Sequence, residues 1–504
     1  MNNNIINIIV GCIYDSFISR RQSMRKSQYK VILLALLTMF SLLLFTACQP
    51  ASTPTTAESQ LSAETSSESG PVYDDDPIVD MEGYEFVIGS AWMRARPSAN
   101  ATEFEKLFFD HKAEVEEKYH CTIKISSIYA DMNTMMPRIM AGNKVADVIE
   151  MMADMWLPAS KAGYIIPWND VEGINIEDPR WVDAYTNLST FDGKNWGLNF
   201  MRPPEVRSCV FFNKDLLANN GITEDPYQLV RDGNWTYEKF REMALAATKD
   251  LDSDGQMDTY GVLVISPILF ARQMINANGA ALATLEDGKV NASYDSQGAI
   301  EALNFVDTLV NQDKSFMLWD YMKSETTWNN VPAYEDIYAV FNEGKAAFFV
   351  HESWVGNQQI KPNSDKIRYG MLPLPKGPGA TDYVSPAHQS RVFTVTSTNT
   401  DLDKTTIIFN ALARPMEGYE GDEWWLDEVQ REYFQDDDED SVDMYKLNLE
   451  KSMVDLGSGV EKLSFDYGIT AIAASVFWRY GTPAAQVATM VGNYQDAIDA
   501  IFNK

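Results

Sequence analysis

The sequence has few of the residues on which most catalytic and metal sites depend. Of its 504 residues, only four are histidine and four are cysteine. No two histidines stand at a metal-ligand spacing, and the segment HESWV at residues 351–355 lacks the second histidine of a zinc protease motif. A phosphate-binding loop and a serine nucleophile motif are also missing from the sequence. The common signatures of metalloproteases, nucleotide-binding enzymes and serine hydrolases are therefore absent.

Positive charge is also scarce. The chain has 41 Lys and Arg residues against 72 Asp and Glu residues, which gives a formal net charge of −31. Nucleic acids and anionic lipid surfaces both bind basic protein surfaces, so the composition argues against either as a partner. The acidic surplus suits a soluble protein outside the cell. The short acidic run at residues 436–440 predicts a solvated loop.

The N-terminal region predicts an export signal. Basic residues between 20 and 30 precede an apolar segment at residues 31–45, which is shorter than the roughly 20 residues of a membrane span. The sequence FTAC at residues 45–48 resembles the bacterial lipobox, in which cleavage precedes the cysteine and the new N-terminus is lipidated. We therefore expect residues 1–47 to be the signal-peptide region, with the true start of translation at Met24, and Cys48 to anchor the protein to the outer face of the cell membrane. An ordinary signal peptide or a short anchor helix is the alternative.

A tether and a large folded body follow. Ten of the twenty residues at 51–70 are Ser or Thr, so residues 48–80 are expected to be a disordered tether, because such a segment buries too little apolar surface to offset its chain entropy. The remaining chain, about 420 residues, suits two domains better than one core. Cys121 and Cys209 lie in strand-like stretches and are predicted to be buried free thiols rather than a disulfide.

The first part of the body alternates between strands and helices. Strands are predicted at residues 84–91, 121–128 and 146–151, and a helix begins at the capping box formed by Thr102 and Glu105. Alternation of this kind predicts an α/β fold with a largely parallel sheet covered by helices.

Five segments carry a resemblance to a known family. In chain order they are ADVIEMMADMWLPASKAGYIIPW (146–168), FFNKDLLANNGI (211–222), NWTYEKFREMA (234–244), FNEGKAAFFVHESW (341–354) and YGMLPLPKGPG (369–379). They resemble the extracellular solute-binding proteins of ABC importers, the family that includes maltose-binding protein. The acidic, aromatic segment at residues 414–455 departs from the family pattern, and we assign it no function.

The resemblance implies a periplasmic-binding-protein-like (class II) fold, with two α/β lobes joined by hinge strands around a ligand cleft. The chain is expected to cross between the lobes at residues 199–207 and to return at 369–374. The first lobe would contain residues 81–203 and 371–414, and the second lobe residues 204–370 and 415–504.

The implied function is that of a monomeric receptor rather than an enzyme. It would capture a carbohydrate, expected to be an oligosaccharide, and deliver it to the permease subunits of an ABC transporter. One alternative is an exported carbohydrate-active hydrolase, which needs two carboxyl groups roughly 5–10 Å apart. Another is a receptor for a non-sugar solute such as a peptide.

Three residues are the main ligand-binding candidates. Trp354 ends an alternating strand, where open α/β sheets present residues to ligands, and it matches a tryptophan that stacks on sugar in the resembled family. Asp154 matches a carboxylate that binds sugar hydroxyls, and Tyr334 matches an aromatic contact. A core tryptophan, a helix N-cap and a helix-face aromatic are the respective alternatives. The further candidates are Trp92, Arg94, Trp156, Arg272 and Tyr467.

The segment DLDSDGQMD at residues 250–258 has the ligand pattern of an EF-hand calcium loop. Aspartates occupy positions 1, 3, 5 and 9, a glycine occupies position 6, and position 7 would supply its backbone carbonyl. Position 12 is Gly261 instead of glutamate, so the bidentate ligand must come from elsewhere or be missing. We predict a structural Ca²⁺ site, with an acidic turn after a helix as the alternative. The predicted ligands are Asp250, Asp252, Asp254, Gln256 and Asp258.

Overall fold

A computed structural model describes residues 77–503, apart from 99–100, 129–134, 325, 328–329, 417–418, 422, 436–437 and 461–471. The predicted signal peptide, Cys48 and most of the predicted tether lie outside the described residues, as does Tyr467. None of the helices within the described part is both long and apolar enough to cross a membrane.

The strands are, in chain order, β1 (Glu85–Gly89), β2 (Thr122–Ser126), β3 (Val148–Met152), β4 (Ile165–Ile166), β5 (Thr190–Phe191), β6 (Lys194–Asn195), β7 (Cys209–Asn213), β8 (Tyr260–Val264), β9 (Ala283–Glu286), β10 (Lys289–Ala292), β11 (Ala346–His351), β12 (Tyr369–Leu372), β13 (Ser385–Pro386), β14 (Arg391–Thr396) and β15 (Ser452–Met453). The α-helices are α1 (Glu103–Tyr119), α2 (Met136–Met140), α3 (Ala153–Lys161), α4 (Asp183–Leu188), α5 (Lys214–Asn219), α6 (Pro226–Arg231), α7 (Tyr237–Ala247), α8 (Pro267–Ala277), α9 (Gln297–Asp307), α10 (Tyr334–Asn342), α11 (Leu402–Leu412), α12 (Glu423–Tyr433), α13 (Glu439–Glu450) and α14 (Pro483–Phe502).

The first lobe is built on a five-stranded sheet with the order β2-β1-β3-β14-β4. Strand β1 pairs in parallel with β2 and β3, as the alternation of strands and helices predicts. Strand β14 runs antiparallel to both β3 and β4, so the sheet is mixed rather than largely parallel. Helix α1 begins where Thr102 accepts a hydrogen bond from the Glu105 N–H at 3.1 Å. The reciprocal half of the capping box is not formed, because the Glu105 carboxylate accepts from the Ser98 N–H instead.

The second lobe is built on a four-stranded sheet with the order β12-β7-β11-β8. All five residues of β7 are buried. This sheet is mixed, because β7 runs antiparallel to both β11 and β12 and only β8 and β11 are parallel. Strands that come from distant segments are not restricted to parallel pairing by a short β-α-β connection.

Two of the described segments run from one main sheet to the other. Near residue 199 the chain leaves the first sheet, where Leu198 bridges to Phe393, and it reaches the end of β11 where the Val206 N–H donates to Ser353 Oγ. The return lies later than expected. Strand β12 pairs along its whole length with β7, so the boundary we set at residue 371 falls inside a strand of the second sheet, and the chain rejoins the first sheet only at β14.

The acidic segment at residues 414–455 packs against both lobes. Trp424 of α12 stacks on Phe104 of α1 with ring centroids 5.7 Å apart, whereas the neighbouring Trp425 is buried in the core beneath the second sheet. The expectation of a solvated loop at residues 436–440 is wrong for Asp438, which is buried, caps α13 and pairs with Lys214 at 2.8 Å.

Both cysteines within the described residues, Cys121 and Cys209, are buried and free, as predicted. Strand β7 begins at Cys209, and β2 begins directly after Cys121. Apolar packing, and not a disulfide bond, holds both strands in place.

Candidate functional site

A cavity of about 520 Å³ lies where strands of the two sheets end. Asp154 follows β3 of the first sheet, whereas Ile265 and Ser266 follow β8, and Glu352 follows β11 of the second sheet. Side chains from the carboxyl ends of strands in both lobes thus line one space, which is the usual location of ligand sites in open α/β sheets.

Four of the predicted ligand residues line this cavity, namely Asp154, Arg272, Tyr334 and Trp354. Asp154 lies in the first turn of α3, and Tyr334 is the first residue of α10 and is 48% exposed. Arg272 of α8 donates from Nη2 to Ser458 Oγ at 3.1 Å. The cavity therefore has aromatic surface and both signs of charge in its wall.

Trp354 is half-buried, and two rings hold it in a fixed environment. The ring of His351 lies 5.3 Å from it at an angle of 88°, and the ring of Tyr338 lies 6.5 Å away at 87°. The indole Nε1 donates to Glu352 Oε2 at 2.6 Å. An indole held in this way presents a rigid apolar surface beside polar groups.

The other predicted ligand residues are placed elsewhere. Trp156 is only 2% exposed and packs in the apolar core around β3 and α3. The Arg391 guanidinium lies over the ring of Trp92 at 5.4 Å, and Arg94 is exposed. Among the described residues that line the cavity, none of these three is found.

Sequence reasoning missed several residues of the cavity wall. They include Ser266, Gln273, Tyr338, His351, Glu352 and His388. Burial is the main cause that lowers the pKa of both His351 and His388 to about 3, so both imidazoles are neutral at physiological pH. The segment HESWV contained the signal. Strand β11 ends at His351, three residues before the strand end predicted at Trp354, so His351 and Glu352 also reach the cavity wall.

A cluster of ion pairs lies behind the cavity wall. Arg207 is 4% exposed and pairs with Glu205 and with Glu352, the latter at 3.1 Å. Arg391 pairs with Glu205 at 2.7 Å. Burial alone would raise the pKa of Glu205, but the guanidinium groups of Arg207 and Arg391 lower it below its ordinary value. The cluster joins both crossing segments to the end of β11.

The loop at residues 250–258 has a geometry that fits a cation. Carboxylate oxygens of Asp250, Asp252 and Asp254 lie within 4.8 Å of one another, and Asp250 Oδ1 is buried with no hydrogen-bond partner. Asp258 instead accepts from the Leu251 N–H at 2.7 Å. Gly261 belongs to β8, and a Cβ there would lie 2.3 Å from the Ala244 carbonyl oxygen, so a glutamate side chain has no room at position 12.

Solved structures with the same architecture come from several bacteria. The GacH receptor of Streptomyces glaucescens is 16% identical, with a TM-score of 0.56 over 83% of this chain and 99% of that one. UspC of M. tuberculosis is 16% identical, with a TM-score of 0.57 over 82% and 100% of the two chains. The maltose/maltodextrin-binding domain MalE of Bdellovibrio bacteriovorus is 13% identical, with a TM-score of 0.55 over 83% and 100%. At these identities the likeness shows a shared two-lobed fold.

The sequence itself matches one family model, described as bacterial extracellular solute-binding protein, over residues 99–405. No curated protein sequence matches the chain. The matched segment is more than half of the chain and contains β3, β11 and the cavity residues between them. The chain therefore belongs to the bacterial extracellular solute-binding proteins.

Proposed function

We propose that this protein is the receptor of an ABC importer and that it captures an oligosaccharide in the cavity between its lobes. One observation carries the proposal, which is the half-buried indole of Trp354 held in the wall of a cavity that also contains Asp154 and Arg272. The receptor would deliver the solute, without altering it, to the permease subunits in the membrane.

The composition of the cavity wall fits the chemistry of a sugar. A pyranose ring has an apolar C–H face and a rim of hydroxyl groups. Trp354, Tyr334 and Tyr338 offer aromatic surface for the face, and the charged groups of Asp154 and Arg272 are suited to strong hydrogen bonds with the rim. A peptide would instead require backbone donors and acceptors along an extended groove.

The ligands of structurally similar proteins support the same class of solute. The GacH receptor was solved in complex with acarbose, the Bdellovibrio MalE domain with maltotriose, and CpMnBP1 with mannotriose. All three ligands contain several linked rings that bear hydroxyl groups.

A panel of maltotriose, mannotriose and cellotriose tests the proposal. A trisaccharide that binds should raise the melting temperature, because at 100 times its Kd a ligand stabilises the folded state by about 2.7 kcal/mol. Recovery of the intact sugar separates a receptor from the rival hydrolase, which would return shorter products. If no sugar raises the melting temperature and a mixed peptide library does, the cavity binds peptides instead of sugars.

We further propose that Cys48 is lipidated and tethers the folded body to the outer face of the cell membrane. The wild-type protein is expected to partition with membranes, whereas Cys48→Ser should lose the lipid and remain uncleaved at that position. Fractionation of cells and mass spectrometry of the mature N-terminus measure both effects. If Cys48→Ser is still cleaved at that position and still partitions with membranes, the lipobox prediction is wrong.

A structural Ca²⁺ ion at residues 250–258 is also proposed. Asp250, Asp252 and Asp254 would hold it, and the Gln256 carbonyl and Asp258 complete the predicted ligands. Without a cation, three carboxylates in such close proximity repel one another. Chelation should therefore lower the melting temperature, while affinity for the trisaccharide stays within about twofold because the loop does not line the cavity. If elemental analysis finds no bound metal and the chelator leaves the melting temperature unchanged, the proposed Ca²⁺ site does not exist.

A further inference from the structure

The indole of Trp354 is fixed by the residue two positions before it. The Nε1–H donates to Glu352 Oε2 at 2.6 Å, and the same oxygen accepts from Arg207 Nη1 at 3.1 Å. Glu352 is 9% exposed. One buried carboxylate oxygen thus connects the aromatic surface of the cavity to a buried guanidinium.

The backbone and ring of the preceding residue complete the arrangement. The Glu352 N–H donates to His351 Nδ1 at 2.7 Å, and the His351 ring stands nearly perpendicular to the Trp354 ring. Because Nδ1 accepts this hydrogen bond, the proton of the neutral imidazole is on Nε2. The indole therefore meets a carboxylate at its N–H and an imidazole against its ring.

The carboxylate is itself held from behind. Arg207 is bound by both Glu352 and Glu205, and Glu205 also pairs with Arg391. Arg207 ends the first crossing segment, and Arg391 begins β14 after the second. The position of Glu352 is consequently set by residues at the ends of two segments that run between the main sheets.

We propose that Glu352 is a positioning residue for solute binding, which holds the Trp354 indole in one plane through its N–H and is held in turn by Arg207. This inference rests on the proposed function, since it treats Trp354 as the surface on which the sugar stacks. A ring that is already ordered loses less side-chain freedom on binding, so its fixation contributes directly to affinity.

The first test needs no ligand. The Trp354 Nε1–H resonance is assigned in the full mature chain by its absence from Trp354→Phe, and its hydrogen exchange is measured in Glu352→Ala, Glu352→Gln and the exposed-site control Glu335→Ala. A hydrogen bond to a charged group is worth roughly tenfold or more in an equilibrium, so Glu352→Ala should exchange roughly tenfold faster. Glu352→Gln, whose amide oxygen can still accept, should restore part of the protection, and Glu335→Ala should match wild type.

The second test separates positioning from direct contact with the sugar. With the panel trisaccharide that binds wild type, Glu352→Ala should weaken binding roughly tenfold, but less than about twofold when combined with Trp354→Phe, which has no N–H to orient. An undiminished loss in the Phe background would show that Glu352 contacts the sugar itself and would overturn the proposal, as would unchanged exchange of the indole in Glu352→Ala. If Glu352→Ala fails to fold, the volume-matched Glu352→Met replaces it, with Arg207 still paired to Glu205.

If no trisaccharide binds, the proposed function fails. The exchange experiment still decides whether Glu352 fixes the indole.

Discussion

Replacing Trp354 by alanine is expected to weaken binding of the cognate sugar by roughly 30- to 150-fold. Stacking of the indole on a sugar face removes on the order of 100 Å² of apolar surface from water, which is worth roughly 2–3 kcal/mol. The ring is half-buried and meets His351 and Tyr338 on its flanks, so the variant should also lose some ligand-free stability. That loss should be smaller than the about 3–5 kcal/mol expected when a core tryptophan is truncated.

Trp156→Ala is the matched control for this experiment. Trp156 was a ligand candidate by sequence but is 2% exposed in the core of the first lobe, so its truncation should cost about 3–5 kcal/mol of folding stability. Calorimetric titration and ligand-free urea unfolding of both variants give the comparison. If Trp354→Ala instead shows the full core loss with unchanged affinity, Trp354 is a packing residue and the cavity assignment is wrong.

Replacement of Arg207 by methionine is expected to destabilise the protein by about 3–5 kcal/mol at neutral pH. The side chain is 4% exposed and pairs with Glu205 and Glu352. Methionine has a similar length but no charge, so the variant leaves two carboxylates short of their partner in a poorly solvated site. Urea unfolding at pH 7 measures the effect.

The size of this effect should depend on pH in a defined direction. The folded-state pKa of Glu205 is below its ordinary value, so in wild type it contributes stability that is present above the unfolded pKa of about 4.3 and is lost as the pH falls through the folded pKa. The variant lacks that contribution from the Arg207 pair, so the difference in unfolding free energy between variant and wild type should persist from pH 7 down to about pH 4.3 and narrow below it. Urea unfolding at pH 7 and at about pH 3 measures this change.

Arg368→Met provides the control for the ion-pair experiment. The Arg368 side chain is 70% exposed and pairs with Asp215, so its loss should cost about 0–1 kcal/mol at either pH. If Arg207→Met is destabilised no more than Arg368→Met, the buried cluster of ion pairs contributes little to folding stability.

Much of the first lobe is predictable because its signals are local. The side chain of Thr102 caps α1, and the buried residues of that helix, Phe104, Phe108, Val115 and Tyr119, recur at helical spacing. Strands β1 and β2 lie within the predicted segments, and β3 extends one residue past its own. Capping and helix periodicity depend only on residues a few positions apart, so they survive any tertiary arrangement.

A residue of the site can be predicted from the sequence only when the geometry of its helix or strand leaves one possible environment for its side chain. Asp154 and Trp156 are two positions apart on α3, and on a helix such residues point about 200° apart. With Asp154 in the cavity wall, Trp156 is directed into the core. The prediction that both Asp154 and Trp156 line the cleft ignored this rotation, although helix geometry alone shows that they lie on opposite faces.

By itself, the sequence determined the α/β class and the family, and it singled out Trp354 and Asp154, both of which line the cavity, because these follow from local periodicity and from segments matched in order. Only the tertiary structure decided that β7 runs antiparallel to its neighbours and that residues 205, 207, 352 and 391 form one cluster of charges. Pairing between strands that are more than a hundred residues apart creates those contacts. The energy of a buried charge depends on the partners that such pairing brings within a few ångströms, and no local pattern encodes them.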